Sequence, residues 1–97
     1  MPDWPPARRA NIMFAVYAIK SLSSNRIYIG QTNDVWRRLD EHNRGIVRST
    51  KMVKPWEIVA IQMVKNRSEA RWIEKRLKRS KGMREKWMSQ YAYGSES

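Results

Sequence analysis

Three apolar stretches have the composition of β-strands. Residues 14–19 and 26–30 are rich in β-branched and aromatic side chains, and the serines and the asparagine of residues 21–25 favour a turn between them. Together these segments predict a β-hairpin. Residues 56–64 form the longest run of this kind and predict a third strand.

A helix is predicted directly after the hairpin. Asn33 or Asp34 is suited to cap a helix over residues 34–43, and Gly45 follows as a stop signal. The apolar stripe of this helix consists of Val35, Trp36 and Leu39.

Helical spacing returns after the third strand. Asn66 or Ser68 can cap a second helix, and we expect it to end at Gly82. The apolar face of this helix consists of Ala70, Ile73 and Leu77. Residues 83–90 predict a short third helix.

The order of the elements is β-β-α-β-α, with the third helix added at the end. This order predicts an α/β (α+β) fold, in which a three-stranded, largely antiparallel sheet is flanked by helices. We expect the folded domain to span residues 13–90. Flexible tails are expected over residues 1–12, which are rich in proline, and over residues 91–97.

The composition limits the class of protein. A length of 97 residues with 41% hydrophobic content suits one domain with a modest core. The chain has no cysteine, which excludes a disulfide-linked partner and a thiolate metal site and fits a reducing compartment. No apolar run approaches the ~18–20 residues that cross a membrane. We therefore expect a cytoplasmic monomer with no membrane partner.

The chain is strongly basic. Twenty Lys and Arg against nine Asp and Glu give a formal charge of +11 and a pI of about 10.6. This excess favours a polyanionic partner, above all nucleic acid, although a solvated basic surface or a ribosome-associated protein would look similar. The expected phosphate contacts are Arg37, Arg44, Arg48, Lys51 and Lys54. Phosphate contacts position a protein without specifying sequence, so we expect little sequence specificity.

Glu74 is an unusual residue for its place in the second helix. It lies at the edge of the apolar face, within a run of basic residues. A carboxylate there is suited to hold a divalent cation, since Mg²⁺ takes one or two carboxylates together with phosphate oxygens and waters. The alternative is an ion pair between Glu74 and a neighbouring arginine on the helix.

Arg38 and His42 are four residues apart, so they share one face of the first helix. We expect both side chains to reach a groove, where an Arg fork and a neighbouring His can bind one phosphate. The alternative is a solvated helix face. His42 is the single histidine of the chain, which argues against a zinc site.

Two tyrosines occupy the hairpin strands. With an even-numbered loop, such as residues 21–24, Tyr17 and Tyr28 lie directly opposite each other on one sheet face. The alternative is an ordinary aromatic pair in the core. Gly30 permits a close backbone approach or a bulge. Trp36, Trp56 and Trp72 are expected in the core or in a groove wall rather than as base-stacking platforms.

These residues follow an order that resembles a known family. Val16-Tyr17-Ala18, Tyr28-Ile29-Gly30, Arg38, His42 and Glu74 resemble the motifs of the GIY-YIG endonuclease superfamily, with the tyrosines eleven residues apart. The resemblance covers residues 13–86. Residues 28–34, 37–43 and 54–56 look like its small stand-alone bacterial members, which are similar to the N-terminal nuclease domain of the repair protein UvrC.

The resemblance implies hydrolysis of phosphodiester bonds in DNA with one divalent ion, Mg²⁺ or Mn²⁺. It implies that Glu74 holds the ion and that Tyr17 is the general base, directly or through water. By the same resemblance Tyr28 orients the site, Arg38 stabilises charge on the phosphate, and His42 assists by hydrogen bonding or proton transfer. Arg38 and the ion are expected to lower the pKa of Tyr17.

The chain departs from the family pattern at two points. The first motif reads Val-Tyr-Ala instead of Gly-Ile-Tyr, and no asparagine occurs after Asn66, where many members carry one. The first hypothesis is an endonuclease acting on branched, damaged or single-stranded DNA. The second is a catalytically weak or inactive binding module of the same fold, and a role on RNA is a third. A binding module needs Lys and Arg but not Glu74, which favours the enzyme.

Overall fold

A computed structural model describes residues 14–94 of the chain. Its centre is a three-stranded sheet of β1 (Phe14–Ser21), β2 (Ile27–Thr32) and β3 (Trp56–Val64). The strand order is β2-β1-β3, and β1 is antiparallel to both of its neighbours. The predicted three-stranded antiparallel sheet is therefore confirmed, with β2 and β3 at its edges.

Helix α1 (Val35–Asn43) begins and ends with the predicted signals. The Asp34 carboxylate accepts a hydrogen bond from the backbone N–H of Arg37 at 3.1 Å, which satisfies one of the free donors of the first turn. Gly45 lies just beyond the helix with a φ of 81°, a left-handed conformation that favours glycine. A short 3-10 helix, Lys51–Val53, lies in the loop that leads to β3.

Helices α2 (Arg67–Arg79) and α3 (Lys81–Gln90) follow β3. Asn66 caps α2 by accepting from the Glu69 N–H at 2.8 Å. The prediction that α2 ends at Gly82 is wrong. Ser80 is extended, and its hydroxyl accepts from the Met83 N–H at 3.2 Å, so it ends α2 and caps α3 at once.

The sheet separates two small cores. On one face, Val16 and Ala18 of β1 pack against Ala70 and Leu77 of α2 and Trp87 of α3. The opposite face carries a second cluster of Ala15, Tyr17, Ile19, Val35, Trp56 and Ile58, which includes α1. Successive residues of a strand point to opposite faces, so the central strand β1 contributes to both cores.

The three tryptophans that were expected in the core or a groove wall differ in exposure. Trp56 is buried and Trp36 is half-buried. Trp72 of α2 is 58% exposed, so it lies outside both cores. No helix among residues 14–94 has the length and apolar character needed to span a membrane.

The register of the hairpin differs from the prediction by two residues. Tyr17 pairs with Gly30, and Tyr28 pairs with Ile19, so the tyrosines are diagonal neighbours rather than directly opposite. The cause is the turn, in which Ser21 binds the backbone of Ser23 and Ser24 through its hydroxyl, at 3.1 and 3.0 Å. A shift of two keeps both phenols on one face, with ring centroids 6.4 Å apart.

Gly30 has no room for a side chain. A Cβ atom at this position would lie 2.6 Å from the Tyr17 hydroxyl oxygen and 2.8 Å from its Cζ. The close approach that the sequence suggested is therefore confirmed, and it lets the Tyr17 ring lie across β2.

The C-terminal segment is held against β3. The Ile61 N–H donates to the Tyr91 carbonyl at 3.1 Å, and the Tyr93 N–H donates to the Val59 carbonyl at 2.9 Å. Residues 91–94, which were expected to belong to a flexible tail, contain both of the tyrosines that form these bonds. The rest of that tail, residues 95–97, and the predicted tail over residues 1–12 lie outside the described residues.

Candidate active site

The hydroxyl of Tyr17 and the imidazole of His42 form a buried hydrogen bond. Tyr17 Oη and His42 Nε2 are 2.9 Å apart, although the residues are 25 positions apart in the chain. Tyr17 comes from β1 and is 2% exposed, and His42 comes from the last turn of α1 and is fully buried. The bond thus joins α1 to the sheet beneath it.

Arg38 and Thr50 are the polar side chains that bear on the direction of this hydrogen bond. Arg38 lies close enough to Tyr17 to lower the pKa of the phenol, and a nearby cation favours a phenol that donates its proton to His42 Nε2. The other ring nitrogen, Nδ1, lies 2.8 Å from Thr50 Oγ1, whose own hydroxyl donates to the Val47 carbonyl. These contacts favour the tautomer of His42 that has its proton on Nδ1 and an acceptor at Nε2.

His42 is neutral in this environment. Burial, above all, and the positive charge of Arg38 together lower its pKa to about 4, although Glu41 opposes both effects in part. The expectation that the His42 side chain reaches a groove is wrong. Its ring lies 5.1 Å from the Tyr28 ring and 6.4 Å from the Trp56 ring, so it can act on a substrate only through Tyr17.

The pKa of Tyr17 is raised, which is opposite to the expectation from the positive charge of the chain. Burial raises the pKa most, the neighbouring Tyr28 adds to the effect, and Arg38 lowers it only in part. The cost of removing a phenolate from water exceeds the benefit of one nearby cation. Tyr17 is therefore a neutral phenol near pH 7.

Arg38 is the member of the group that reaches solvent. Its side chain is 35% exposed, and its Nη1 lies 2.8 Å from the Glu41 carboxylate one helical turn away. Burial lowers the pKa of Arg38, but the hydrogen bonds to Glu41 and Tyr17 outweigh this effect and raise it overall. Arg38 therefore keeps its positive charge. Its partly exposed side chain lies near both the buried phenol of Tyr17 and the surface.

Tyr28 connects this network to α2. Its half-buried ring lies 6.4 Å from the Tyr17 ring, and the ammonium group of Lys78 lies 5.6 Å from its centroid. That distance is typical of a cation–π contact. Because β2 is an edge strand, the side chain of Lys78 reaches Tyr28 although α2 packs mainly on the other face of the sheet.

Glu74 lies on α2 beside Lys78. Its carboxylate is 2.7 Å from Lys78 Nζ, and its side chain is 20% exposed. Its negative charge raises the pKa of Tyr17, so it lies within electrostatic range of the phenol. Glu74 thus forms an ion pair with a helical neighbour, as the alternative interpretation of the sequence predicted, but the partner is Lys78 rather than an arginine.

Glu74 lines a cleft of about 460 Å³, which we call the Glu74 cleft. Its other lining residues are Gln31, Arg71, Trp72, Lys75 and Lys78. Three cations thus surround one carboxylate, which suits the cleft to a phosphate group rather than to a neutral ligand.

The donor atoms of the Glu74 cleft fit a Mg²⁺ ion that brings its own waters. The buried amide oxygen Oε1 of Gln31 finds no hydrogen-bond partner among the residues that the structure describes, and Gln31 shares the cleft with Glu74. Carboxylate and amide oxygens are the hard ligands that Mg²⁺ takes, with waters and substrate phosphate completing its shell. Residues 14–94 contain no cluster of three or more His, Cys, Asp or Glu side chains that could hold a metal ion.

Comparison with known families adds the decisive observation. Residues 13–86 match the sequence model of the GIY-YIG catalytic domain. The chain belongs to the GIY-YIG family. Members of this family are nucleases, and they generally depend on divalent metal ions, so the family implies a nucleic-acid substrate. No curated protein matches the chain.

The five residues that the resemblance assigned to the site divide into two groups in the structure. Tyr17, Tyr28 and His42 are joined by a hydrogen bond and by ring contacts, and Arg38 lies within electrostatic range of Tyr17. Glu74 joins this network through its charge and through its partner Lys78, which contacts Tyr28. The carboxylate is therefore not turned to the far side of the molecule.

The basic residues predicted to contact phosphate are all exposed. They are Arg37, Arg44, Arg48, Lys51 and Lys54, on α1 and in the loop after it. Arg37 and Arg44 already contact acidic residues of α1, at 3.9 and 3.5 Å. The basic residues that line the Glu74 cleft lie on α2. They are not among the residues that were predicted to contact phosphate.

Three residues around the site were not predicted from the sequence. Lys78 could have been found, since it follows Glu74 by four positions in a helix. Thr50 lies in an irregular segment eight residues after His42, and no periodicity marks it. Gln31 is one of several polar residues after β2's Gly30, and only its unpaired oxygen distinguishes it.

Proposed function

We propose that this protein is a DNA endonuclease that depends on one divalent ion, Mg²⁺ or Mn²⁺. The observation that carries the proposal is the buried hydrogen bond between Tyr17 and His42, with Arg38 and Glu74 both close enough to shift the pKa of Tyr17. A hydrogen-bonded acid–base pair, a cation and a carboxylate thus lie within electrostatic range of one phenol. Hydrolysis of a phosphodiester needs these components.

Glu74 and Gln31 would hold the divalent ion. When bound, the ion supplies positive charge at the phosphate and makes a bound water more acidic. Lys78, the present partner of Glu74, is free to turn to a phosphate oxygen once its carboxylate is engaged. Binding of metal and of DNA would then support each other, because each takes one member of the same ion pair.

In the proposed relay Tyr17 acts as a base, although its phenol is not ionised beforehand. A phenol with a raised pKa does not lose its proton to bulk water near pH 7. It can accept a proton from the attacking water only as it passes its own proton to His42 Nε2, which is neutral and 2.9 Å away. The water oxygen bonds to phosphorus, the bond to the 3′ oxygen breaks, and that oxygen takes a proton from solvent. His42 then returns its added proton to Tyr17, which releases one to solvent, so both residues regain their starting state.

Arg38 would stabilise the charge that develops on the phosphate. Its guanidinium donates to the Glu41 carboxylate at 2.8 Å, so it is oriented before the substrate arrives. A donor that is fixed in advance needs little reorganisation during the reaction, which is the main benefit of such groups. Tyr28 packs against the Tyr17 and His42 rings and would keep the phenol in place.

A binding module with weak or no activity is the second candidate. It is favoured by the ion pair between Glu74 and Lys78, which satisfies the carboxylate without metal. In this case the basic surface would bind nucleic acid, while the relay would only stabilise the fold. The two candidates differ in whether Glu74 is needed for turnover.

The deciding experiment measures nicking of supercoiled plasmid with Mg²⁺ or Mn²⁺ and, as a control, with EDTA. We compare Glu74→Gln and Arg38→Ala with Glu69→Gln, which changes an exposed carboxylate of the same helix. Loss of nicking in the first two variants, with plasmid binding retained, supports the endonuclease. Equal nicking in all variants points to a contaminating enzyme, and no nicking by any of them supports the binding module.

The proposed substrate is DNA that is branched, damaged or single-stranded, and the protein would act as a cytoplasmic monomer. So small a domain offers few side chains for base edges, and phosphate contacts alone do not specify a sequence. The similarity to the nuclease domain of UvrC, and with it a role in DNA repair, stays a prediction of the sequence.

A further inference from the structure

An exposed tryptophan borders the Glu74 cleft. Trp72 is 58% exposed, and it lies two positions before Glu74 on α2. Tryptophan is usually buried because its ring removes a large apolar area from water. An indole left exposed on a helix that is otherwise strongly basic therefore calls for a ligand with both an aromatic surface and negative charge.

The indole separates two depressions of the surface. On one side is the Glu74 cleft, and on the other is a groove of about 390 Å³ between α2 and α3, which we call the α2–α3 groove. The Arg76 guanidinium lies 4.6 Å from the Trp72 ring centroid and belongs to the lining of the α2–α3 groove. Arg76 therefore supports the ring from that groove, and the side toward Glu74 is bordered by Arg71 and Lys75.

We propose that Trp72 is a stacking platform for an unpaired base of a DNA strand whose phosphate lies in the Glu74 cleft. This inference rests on the proposed function and adds to it the form of the substrate. Bases stack on aromatic side chains regardless of sequence, because every base has a π-face. Arg71, Lys75 and Lys78 supply the positive charge that a strand needs along its phosphates.

The arrangement favours an unpaired base over a base pair. In a duplex the faces of each base are covered by its neighbours, so the ring of Trp72 can stack only where a base is unstacked or extruded. Arg76 strengthens the platform, since a guanidinium stacked on the indole keeps the ring oriented and adds positive charge beside it. The substrate class is thus DNA with a single-stranded or distorted segment next to the scissile phosphate.

The experiment compares two oligonucleotides of equal length, one with normal bases and one in which the central nucleotides are abasic. Binding to wild-type protein, Trp72→Ala and Trp72→Phe is measured by fluorescence anisotropy in EDTA, so no cleavage is required. Tyr93→Ala is the matched control, because Tyr93 is an exposed aromatic residue (45%) next to β3, the opposite edge strand. Circular dichroism checks that each variant is folded.

We expect Trp72→Ala to bind the normal strand roughly 5- to 100-fold more weakly, with little change for the abasic strand. Trp72→Phe should keep most of the affinity, and Tyr93→Ala should match the wild type. An equal loss for both strands would mean a general effect on charge or folding and would overturn the inference. The inference would also be overturned if the Trp72 substitutions weakened binding to RNA alone. The same holds if they changed the oligomeric state of the protein and left DNA binding unchanged.

The outcome separates this inference from the proposed nuclease function. If binding at Trp72 depends on the bases but the protein does not nick plasmid, the proposed endonuclease activity is contradicted and the stacking role of Trp72 is supported. Nicking that depends on Glu74 but binding that ignores Trp72 would contradict the platform alone.

Discussion

The Tyr17 hydroxyl oxygen and His42 Nε2 are 2.9 Å apart inside the protein, with the histidine ring fully buried. A phenol that faces a neutral imidazole has an acceptor for its proton that does not depend on solvent. The proposed relay ends at Thr50, which holds the opposite ring nitrogen at 2.8 Å. Three residues from a strand, a helix and a loop thus act as one unit, and each can be tested separately.

Thr50→Val should weaken the relay without changing the volume of the side chain much. Valine cannot accept a hydrogen bond from Nδ1–H, so His42 loses the contact that favours one tautomer. We expect the nicking rate to fall at least about tenfold, as for the loss of one participant in proton transfer. Nitrogen-15 NMR of the imidazole should show a mixture of tautomers. Thr50→Ser should restore both signals, and an unchanged rate with unchanged shifts in Thr50→Val would remove Thr50 from the relay.

His42 should make the protein less stable in mild acid. Its pKa is lowered to about 4 in the fold by burial, whereas the unfolded chain has the ordinary value of about 6.5. Between these values the unfolded state binds a proton that the native state does not, so stability falls as the pH drops from 6.5 toward 4. We expect a loss of about 2 kcal/mol between pH 7 and pH 5. Urea unfolding at both pH values measures it.

The His42→Gln variant controls for the other titrating groups of the protein. Its free energy of unfolding should change by about 2 kcal/mol less than that of the wild type over the same pH interval. Identical pH slopes for the two proteins would mean that His42 is protonated in the native state or exposed.

Gly30→Ala should disrupt the site through a clash in the sheet. The new Cβ would lie 2.6 Å from the Tyr17 hydroxyl oxygen, so the phenol must move away from His42. We expect a loss of about 1–3 kcal/mol in the free energy of unfolding, as for overpacking of a core. The rate of plasmid nicking by this variant should also fall.

Gly82→Ala is the matched control for this substitution. Nothing among the described residues lies within 4 Å of a Cβ at position 82, which is in α3. Alanine in a helix should raise the stability by about 0.5–1 kcal/mol. Urea titrations of both variants should show changes of opposite sign in the free energy of unfolding. Changes of the same sign would contradict the account of Gly30.

Lys78→Met should strengthen metal binding in the absence of DNA. Lys78 neutralises Glu74 at 2.7 Å, so a cation that uses this carboxylate must first displace the ammonium group. Partly exposed ion pairs contribute up to about 1 kcal/mol, which corresponds to a two- to fivefold change in Mn²⁺ affinity by calorimetry. Lys75→Met removes the same charge from the same cleft and should change the affinity less. Weaker Mn²⁺ binding in Lys78→Met would assign the metal elsewhere.

Local signals in the sequence predicted most of the fold. Asp34 and Asn66 cap the first two helices as expected, since a capping side chain acts on the backbone two or three residues away. The end of α2 was predicted wrongly because Ser80 and Gly82 are both plausible boundaries, and the choice depends on where α3 begins. The hairpin register was off by two because the turn is closed by Ser21, whose side chain serves the loop rather than the strand.

The site was predicted less completely than the fold. The GIY-YIG positions were found by resemblance, but the burial of His42 was missed, although positions 35, 39 and 42 have helical spacing and pointed to the core. The raised pKa of Tyr17 could not be predicted, because burial and charge act in opposite directions and their balance depends on depth. The exposure of Trp72 likewise depends on how α2 is rotated on the sheet.

The edge position of β2 allows the two halves of the site to come from opposite layers of the molecule. The relay residues belong to the layer of α1, while Glu74 belongs to α2, which packs on the other face. Activity would thus require both layers to be docked at the same moment. A brief detachment of α2 would switch off turnover while the phenol–imidazole pair stays intact, so loss of function on warming should precede the loss of the sheet.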